Sequence, residues 1–182
     1  QRSTARNREA CELIRNGRLG KIHTVVCQNW PGSQPYSNFQ PPSEPVPDGM
    51  DWNAWAGQTE PVPFSMNVYR TYNEPGWHNI RRFSGGWTAN AGSHALDMVQ
   101  WPLGTDETGP VEVWAEEKSF DAPVTFRYAH GPILKLAHSS KPMGVSGFEA
   151  AEKPEDEAPV FGAIFHGEKG TMIMHRGRFN TK

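Results

Sequence analysis

From Pro110 onward the chain is written with a period of two. Val111-Glu112-Val113-Trp114 alternates apolar and polar, Val124 to Tyr128 partly alternates, and Ile133 to Ala137 does so again, with turn residues between. Successive side chains of an extended strand point to opposite faces, so runs of this kind bury one face. Three in succession predict an antiparallel meander. A last hairpin is expected from Pro159 to Phe165 and Thr171 to Met174, turned at Gly167-Glu168-Lys169-Gly170. Ser139 to Ala158 is acidic and rich in Pro and Gly, which predicts a loop.

Ahead of the meander the texture is different. Ala10, Leu13 and Ile14 recur at helical spacing within Ala5 to Asn16, with Thr4 placed as N-cap and Gly17 as the C′ residue. Ile22 to Gln28 is β-branched and predicts a strand. Trp30 to Gly49 is polar and Pro-rich and predicts a long loop, of the kind that is functional or flexible. Asp51 caps a short helix over Asp51-Trp52-Asn53-Ala54-Trp55, and an irregular stretch follows to Ser84. Gly85-Gly86 opens a second clear helix, about Trp87 to Trp101, apolar at Ala91, Ala95, Met98 and Val99 and ended by Pro102 and Gly104. Helices set beside a run of strands predict an α+β fold: an open-faced, mainly antiparallel sheet with helices on one face.

Composition narrows the function classes. The 182 residues hold 18 basic and 20 acidic side chains, and no block of five or more Lys/Arg points to nucleic acid or a membrane surface. No apolar run approaches the ~20 residues of a membrane span, so a soluble chain is expected. Cys11, in the first helix, and Cys27, in the first strand, are expected to be buried small hydrophobes and not a disulfide framework. The first residue is Gln1, with no charged-then-apolar leader before it: either a leader was removed or the sequence begins inside a longer protein. Seven tryptophans fit a carbohydrate partner, since flat rings stack on sugar C–H faces, and serve equally as core.

Chemistry concentrates in Gly85-Gly86-Trp87-Thr88-Ala89-Asn90-Ala91-Gly92-Ser93-His94-Ala95-Leu96-Asp97. Two glycines let a backbone approach a ligand closely. Asn90 and His94 are four apart and share a helix face, with Asp97 three further on. His moves protons near neutral pH, and an amide one turn away can orient a hydroxyl or the imidazole. The same residues also serve purely structural roles on helices, Asp97 as a buried helix-to-loop hydrogen-bonder. In Trp77-His78-Asn79-Ile80-Arg81-Arg82-Phe83, Arg81 or Arg82 either binds sugar hydroxyls or a carboxylate, or pairs with loop carboxylates. Tyr69 and Trp87 either stack on a pyranose or fill the core. A metal held by His94 and Asp97 with His166 or His175 is a further, weaker possibility, and no metal is expected.

These segments resemble the C-terminal domain of the glucose–fructose oxidoreductase / inositol dehydrogenase family (Gfo/Idh/MocA), in its bacterial sugar-oxidoreductase subgroup. The family's Gly-Gly turn and Asp-x-Gly-x-His-x-x-Asp helix correspond to Gly85-Gly86 and Asn90-Ala91-Gly92-Ser93-His94-Ala95-Leu96-Asp97. Arg8 to Ile22 is similar to the family's linker helix and its Gly-Lys/Arg-Ile/Leu-Gly-Lys ending. Asp51 to Gly57, with Pro61 and Pro63-Phe64 behind it, is similar to an Asp-Trp-Asp-x-Trp-x-Gly-Pro segment, and Phe165-His166-Gly167-Glu168-Lys169-Gly170 to a late hairpin.

The resemblance implies a linker helix over 1–21 and a sheet domain over 22–182 that binds a sugar or cyclitol and forms a homo-oligomer through its sheet face. It implies catalytic roles for His94 and Asn90, the latter where the family has an acid; Asn hydrogen-bonds and cannot act as an acid or base. Trp87, Arg81, Arg82, Tyr69 and Asp97 are the implied substrate contacts, and Gly85 and Gly86 the nicotinamide-side contacts. NAD or NADP is expected in the full-length enzyme and not on this chain alone, for no Gly-x-Gly-x-x-Gly is present and the Rossmann domain is missing. The family's catalytic lysine comes from a Glu-Lys-Pro motif in that domain, and Glu152-Lys153-Pro154 in the acidic loop is taken as coincidence. The function expected is the substrate half of an NAD(P)-dependent sugar oxidoreductase, inactive alone, with a glycoside-cleaving variant open. The competing reading is a stand-alone carbohydrate-binding or oligomerisation module without catalysis. The compartment, cytoplasmic or exported, is left open.

Overall fold

The computed structural model describes residues 1–30, 32–70, 76–118, 122–137 and 161–181. The chain forms two compact units, one of Gln1–Trp30 with Ala91–Lys182 and one of Pro31–Asn90. In order, the elements are α1 (Ala5–Arg15), β1 (Ile22–Gln28), α2 (Trp52–Ala56), α3 (Met66–Arg70), α4 (Gly86–Leu103), β2 (Glu112–Ala115), β3 (Val124–Arg127), β4 (Ile133–Ala137), β5 (Ala163–Gly167), β6 (Gly170–His175) and β7 (Arg178–Thr181). The expected acidic loop, Glu152-Lys153-Pro154 and Pro159 lie outside the described residues.

The first unit is built on one seven-stranded sheet in the order β2-β3-β4-β1-β5-β6-β7. All neighbours are antiparallel except β1 with β4. The expected meander is therefore present as β2-β3-β4, but it does not run on into the last hairpin, because β1 is inserted between β4 and β5. Alternation aims Val25, Cys27, Leu134, Leu136, Ala163, Phe165, Met172 and Met174 at one face, and all eight are buried. They form a single core with Ala10, Cys11 and Ile14 of α1 and Ala95, Met98 and Val99 of α4. The architecture is α+β, an open-faced sheet with helices on one side.

Local chemistry explains the helix ends. Gly17 (φ +75°) follows the Asn16 cap of α1, with Gly17 N donating to Ile14 O and Arg18 N to Leu13 O, both at 3.0 Å. This pair of bonds satisfies the last carbonyls as a Schellman motif. Thr4 is the N-cap of α1, but its side chain makes no capping bond. The end of α4 repeats the device: Gly104 (φ +66°) donates to Trp101 O and Thr105 N to Gln100 O. Pro102 thus sits inside the last turn of α4 and does not stop it; the left-handed glycine after it does. Asn7, fully buried on α1, accepts from Gly177 N at 2.9 Å and so holds the turn between β6 and β7. The strand β7 has no counterpart in the sequence prediction, since Arg-Phe-Asn-Thr holds one apolar residue.

The Pro31–Asn90 unit is ordered by its own core, although the sequence predicts mostly loop. Trp52, Phe64, Val68 and Ile80 are buried, with Tyr36, Phe39, Met50 and Val62 among the side chains packed on them. Trp52 Nε1 donates to Val62 O at 2.8 Å, and Asp51 Oδ1 caps α2 by accepting from Ala54 N at 2.9 Å. Glu44 Oε1 accepts from Met66 N at 3.1 Å at the start of α3, a helix the sequence does not announce.

Two family-like segments meet in the first unit. At the β5–β6 turn, Lys169 N donates to Leu19 O at 2.9 Å and Glu168 N to Lys21 O at 3.2 Å. A Cβ on Gly167 would lie 2.3 Å from Leu19 O, so only glycine lets the two backbones approach. Gly167→Ala is expected to cost about 1–3 kcal/mol, read as a lowered urea midpoint. Gly109→Ala, where a Cβ meets nothing within 4 Å, should leave that midpoint within ~0.5 kcal/mol of the parent.

Candidate functional site

Helix α4 carries the residues singled out by sequence. In the sheet unit, Ala91, Ala95, Met98 and Val99 bury one stripe of the helix in the core. His94 lies off that stripe and is exposed. Its imidazole meets the Phe161 ring edge-on, centroids 6.4 Å apart. Phe161 also meets the Arg176 guanidinium, 4.1 Å from the ring centroid, and the buried Trp30 indole at 5.7 Å. A cation over a ring face is attracted by the ring quadrupole. An exposed imidazole on a core-anchored helix, with a guanidinium on the same neighbouring ring, is an arrangement that can accept a proton from a hydroxyl held beside it. Sequence reasoning placed Phe161 in the strand expected from Pro159 to Phe165 without giving it a role, and missed Arg176, which lies just past the expected hairpin.

Asp97 is committed elsewhere. Arg2 donates from Nε (3.0 Å) and Nη2 (2.7 Å) to its carboxylate, and the same guanidinium reaches Asp106 and lies 5.6 Å from the Trp101 ring centroid. Arg15 donates to Trp101 O and approaches Asp106 at 3.4 Å. Asp97 is half-buried in an ion-pair network and, from α4, accepts hydrogen bonds from the loop residue Arg2, as in the structural reading of the sequence, except that it is not fully buried.

In the Pro31–Asn90 unit, the two glycines make room for the chain itself. Gly86 is buried with φ +71° and bridges Gly32, and a Cβ there would sit 2.6 Å from Ser33 N. On Gly85 a Cβ would meet the Ala89 methyl at 2.5 Å. The close approach that the sequence reserves for a ligand is taken at Gly86 by Gly32 and Ser33.

Asn90 and Trp87 converge on His78. Asn90 Nδ2 faces His78 Nε2 at 3.3 Å, and the Trp87 ring meets the imidazole edge-on at 4.8 Å. An amide N–H only donates, so Nε2 accepts and the neutral imidazole carries its proton on Nδ1. His78 is 1% exposed, and burial pushes its pKa below the ordinary histidine value, against the opposing effect of a side-chain hydrogen bond with Asn79. The sequence reading includes His78 in the Trp77–Phe83 segment without assigning it a role.

Tyr69 and Arg82 line an open cleft of about 850 Å³ in this unit, with Trp55, Trp77 and Phe83 on its walls. Arg82 pairs with Glu60 at 3.1 Å and lies over Tyr36 at 5.5 Å. Arg81 borders a smaller depression with Arg82 and Tyr36. The predicted residues therefore separate: Tyr69 with Arg82 at the cleft, Trp87 with Asn90 at His78, His94 at Phe161, and Asp97 at Arg2. Among the described residues no three His, Cys, Asp or Glu side chains are grouped to hold a metal, and no helix is long and apolar enough to cross a membrane. His166, one of the metal candidates, stacks on His23 and contacts Thr171 Oγ1 at 3.2 Å. Cys11 and Cys27 are buried free thiols, each pushed up to about 12 by burial.

An Asp at position 90 would face the His78 ring with a negative charge and favour the imidazolium. Asn90→Asp should therefore raise the His78 pKa by at least about one pH unit, followed by ¹H–¹³C NMR titration of the imidazole. An unmoved titration would contradict the Asn90–His78 contact.

The family model described as "Oxidoreductase family, C-terminal alpha/beta domain", of the Gfo/Idh/MocA group, matches residues 12–138, more than half of the chain. No curated protein matches the sequence. Among solved structures the chain is similar to the WlbA dehydrogenase from Bordetella pertussis, determined in complex with NADH and UDP-GlcNAcA, at 18% identity and a TM-score of 0.44. That likeness covers 98% of this chain and 44% of the dehydrogenase. The chain belongs to the Gfo/Idh/MocA oxidoreductase family, and residues 12–138 are its C-terminal α/β domain.

Proposed function

We propose that this chain is the substrate-side half of an NAD- or NADP-dependent oxidoreductase acting on a sugar or cyclitol hydroxyl, with His94 as the proton acceptor. The observation that carries this reading is the placing of His94: exposed, on the helix that the family match includes, with the opposite stripe of that helix locked in the sheet core. A base held on a rigid element is held in geometry as well as in protonation state. Asn90, one turn earlier on α4, serves as a hydrogen-bonding group and not as an acid. Asp97 is assigned to the Arg2 pair, which tethers the N-terminal segment to α4.

The dinucleotide is assigned, from the family membership, to a nucleotide-binding domain of the full-length enzyme, and this chain alone to an inactive state. Oligomer formation is assigned to the sheet face away from the helices, where Val26, Ile133 and Ile173 are partly exposed.

In the protein joined to its nucleotide-binding domain, His94→Ala should lower kcat by ~10²-fold or more, as for loss of a general base. An unchanged rate would remove His94 from the role. For the lone chain, a fluorescence titration with NADH or NADPH should show no submillimolar binding. Ile173→Asp should convert an oligomer to monomer in light scattering after gel filtration, and a wild-type chain that is already monomeric would refute the sheet-face assignment.

A further inference from the structure

We propose that His23 and His166 form a two-histidine site for a late transition-metal ion, Cu²⁺ above the others, on the sheet face away from the helices. Both residues belong to the sheet unit, and the site involves neither the dinucleotide nor the proton acceptor at His94.

Strand register brings the two imidazoles together. His166 follows the buried Phe165 on β5, so alternation turns it to the open face. By the same rule His23 would share the core side with Val25 and Cys27. The bulge prevents this: Ile22 pairs with Gly167 and Thr24 with His166, which leaves His23 as the extra residue between them. A bulge gives up regular pairing and re-aims a side chain. Here the re-aimed ring stacks on His166, centroids 6.4 Å apart and planes 19° from parallel. An ion ~2.1 Å from a nitrogen of each ring lies roughly 3 Å from each ring centre, so two rings can share it up to a centroid separation of roughly 6.5 Å. The observed spacing is at the outer end of that range, and His23 is exposed, so a small turn of its side chain shortens it.

Each ring is steadied by a threonine hydroxyl. His23 Nδ1 lies 3.1 Å from Thr24 Oγ1, and His166 Nδ1 lies 3.2 Å from Thr171 Oγ1. A hydroxyl accepts as well as donates, so each Nδ1 can keep its proton and leave the lone pair on Nε2. Metal-ligating histidines are held in this way, by a bond on the other ring nitrogen. Among the described residues neither Nε2 makes a hydrogen bond. The same device on two neighbouring rings is more than strand packing requires. No third His, Cys, Asp or Glu joins them among the described residues, so water fills the remaining positions on the ion. Two neutral nitrogens suit Cu²⁺, Ni²⁺ and Zn²⁺, and offer nothing to Mg²⁺ or Ca²⁺, which take oxygen ligands. With one donor set, Cu²⁺ binds most tightly of the divalent first-row ions.

The test uses the full chain without an affinity tag, stripped of metal by chelation, and titrates it calorimetrically with Cu²⁺, Ni²⁺, Zn²⁺ and Mg²⁺ in turn. One Cu²⁺ per chain is expected, bound more tightly than Ni²⁺ or Zn²⁺, with Mg²⁺ not bound. Electron paramagnetic resonance of the Cu²⁺ form should show coupling to two ring nitrogens. His23→Ala, at an exposed side chain, should weaken Cu²⁺ binding at least about tenfold with circular dichroism unchanged. Thr24→Val and Thr171→Val should each weaken it about tenfold, whereas Thr24→Ser and Thr171→Ser, which keep the hydroxyl, should bind as the parent does. His94→Ala should leave binding intact, so this site and the proposed proton acceptor stand or fall separately. The proposal is overturned if His23→Ala binds Cu²⁺ as the parent does, if the valine and serine variants behave alike, if Mg²⁺ binds as tightly as Cu²⁺, or if His94→Ala abolishes binding. Saturation at one ion per two chains would overturn it as well, by assigning the ion to a contact between copies.

Discussion

The backbone contact between Leu19–Lys21 and the β5–β6 turn decides where β1 can go. Two hydrogen bonds and a glycine at 167 hold the entry to β1 against a turn almost 150 residues later in the chain. Once β1 is held there, it pairs with β5 on one side and β4 on the other, and the core residues Val25 and Cys27 face the same way as Phe165 and Leu134. A slip of one residue would turn that whole row to the opposite face. A bulge between Ile22 and Thr24 absorbs the mismatch where the linker enters the strand, which leaves the rest of the register undisturbed. The sheet is thus closed by its most distant partners, a topology that carries a large loop-closure cost and folds slowly.

Legibility followed locality. The helix ends were readable because Gly17 and Gly104 act through bonds to residues three to five positions away. The α2 cap was readable for the same reason, from Asp51 to Ala54. Strands β2 to β4 announced themselves by alternation. What escaped was non-local. The parallel pairing of β1 with β4 leaves no mark in either strand. The strand β7 is an edge that needs only backbone groups from β6, so its side chains are mostly polar. The core of the Pro31–Asn90 unit was hidden because its apolar residues, Trp52, Phe64, Val68 and Ile80, follow no period; they are collected by turns and by single bridges such as Gln34 to Ile80.

At the site the same division appears. His94 and Asn90 could be placed on α4 from spacing alone, but their neighbours could not. Phe161 meets His94, and Arg176 lies over the Phe161 ring. Gly85 and Gly86 were read as letting the backbone approach a ligand closely, yet a sequence does not say what approaches. At Gly86 the answer is the backbone of Gly32 and Ser33. A glycine pair before a helix is therefore evidence for a tight neighbour, and only the neighbour's identity makes it evidence for a ligand.

The departure at position 90 follows from the burial of His78. An imidazole 1% exposed, with the edges of Trp77 and Trp87 against it, has little around it to solvate a positive charge. A carboxylate at position 90 would either create a buried ion pair, whose desolvation offsets most of its attraction, or stay charged beside a neutral ring. An amide avoids both: it donates to Nε2, carries no charge at any pH, and asks the imidazole only to remain neutral, the state that burial already favours. Asn90 and His78 are best understood as one neutral unit, each making the other tolerable. On that view an amide at position 90 fits its surroundings as a fixed, uncharged hydrogen-bond donor, where a carboxylate would not.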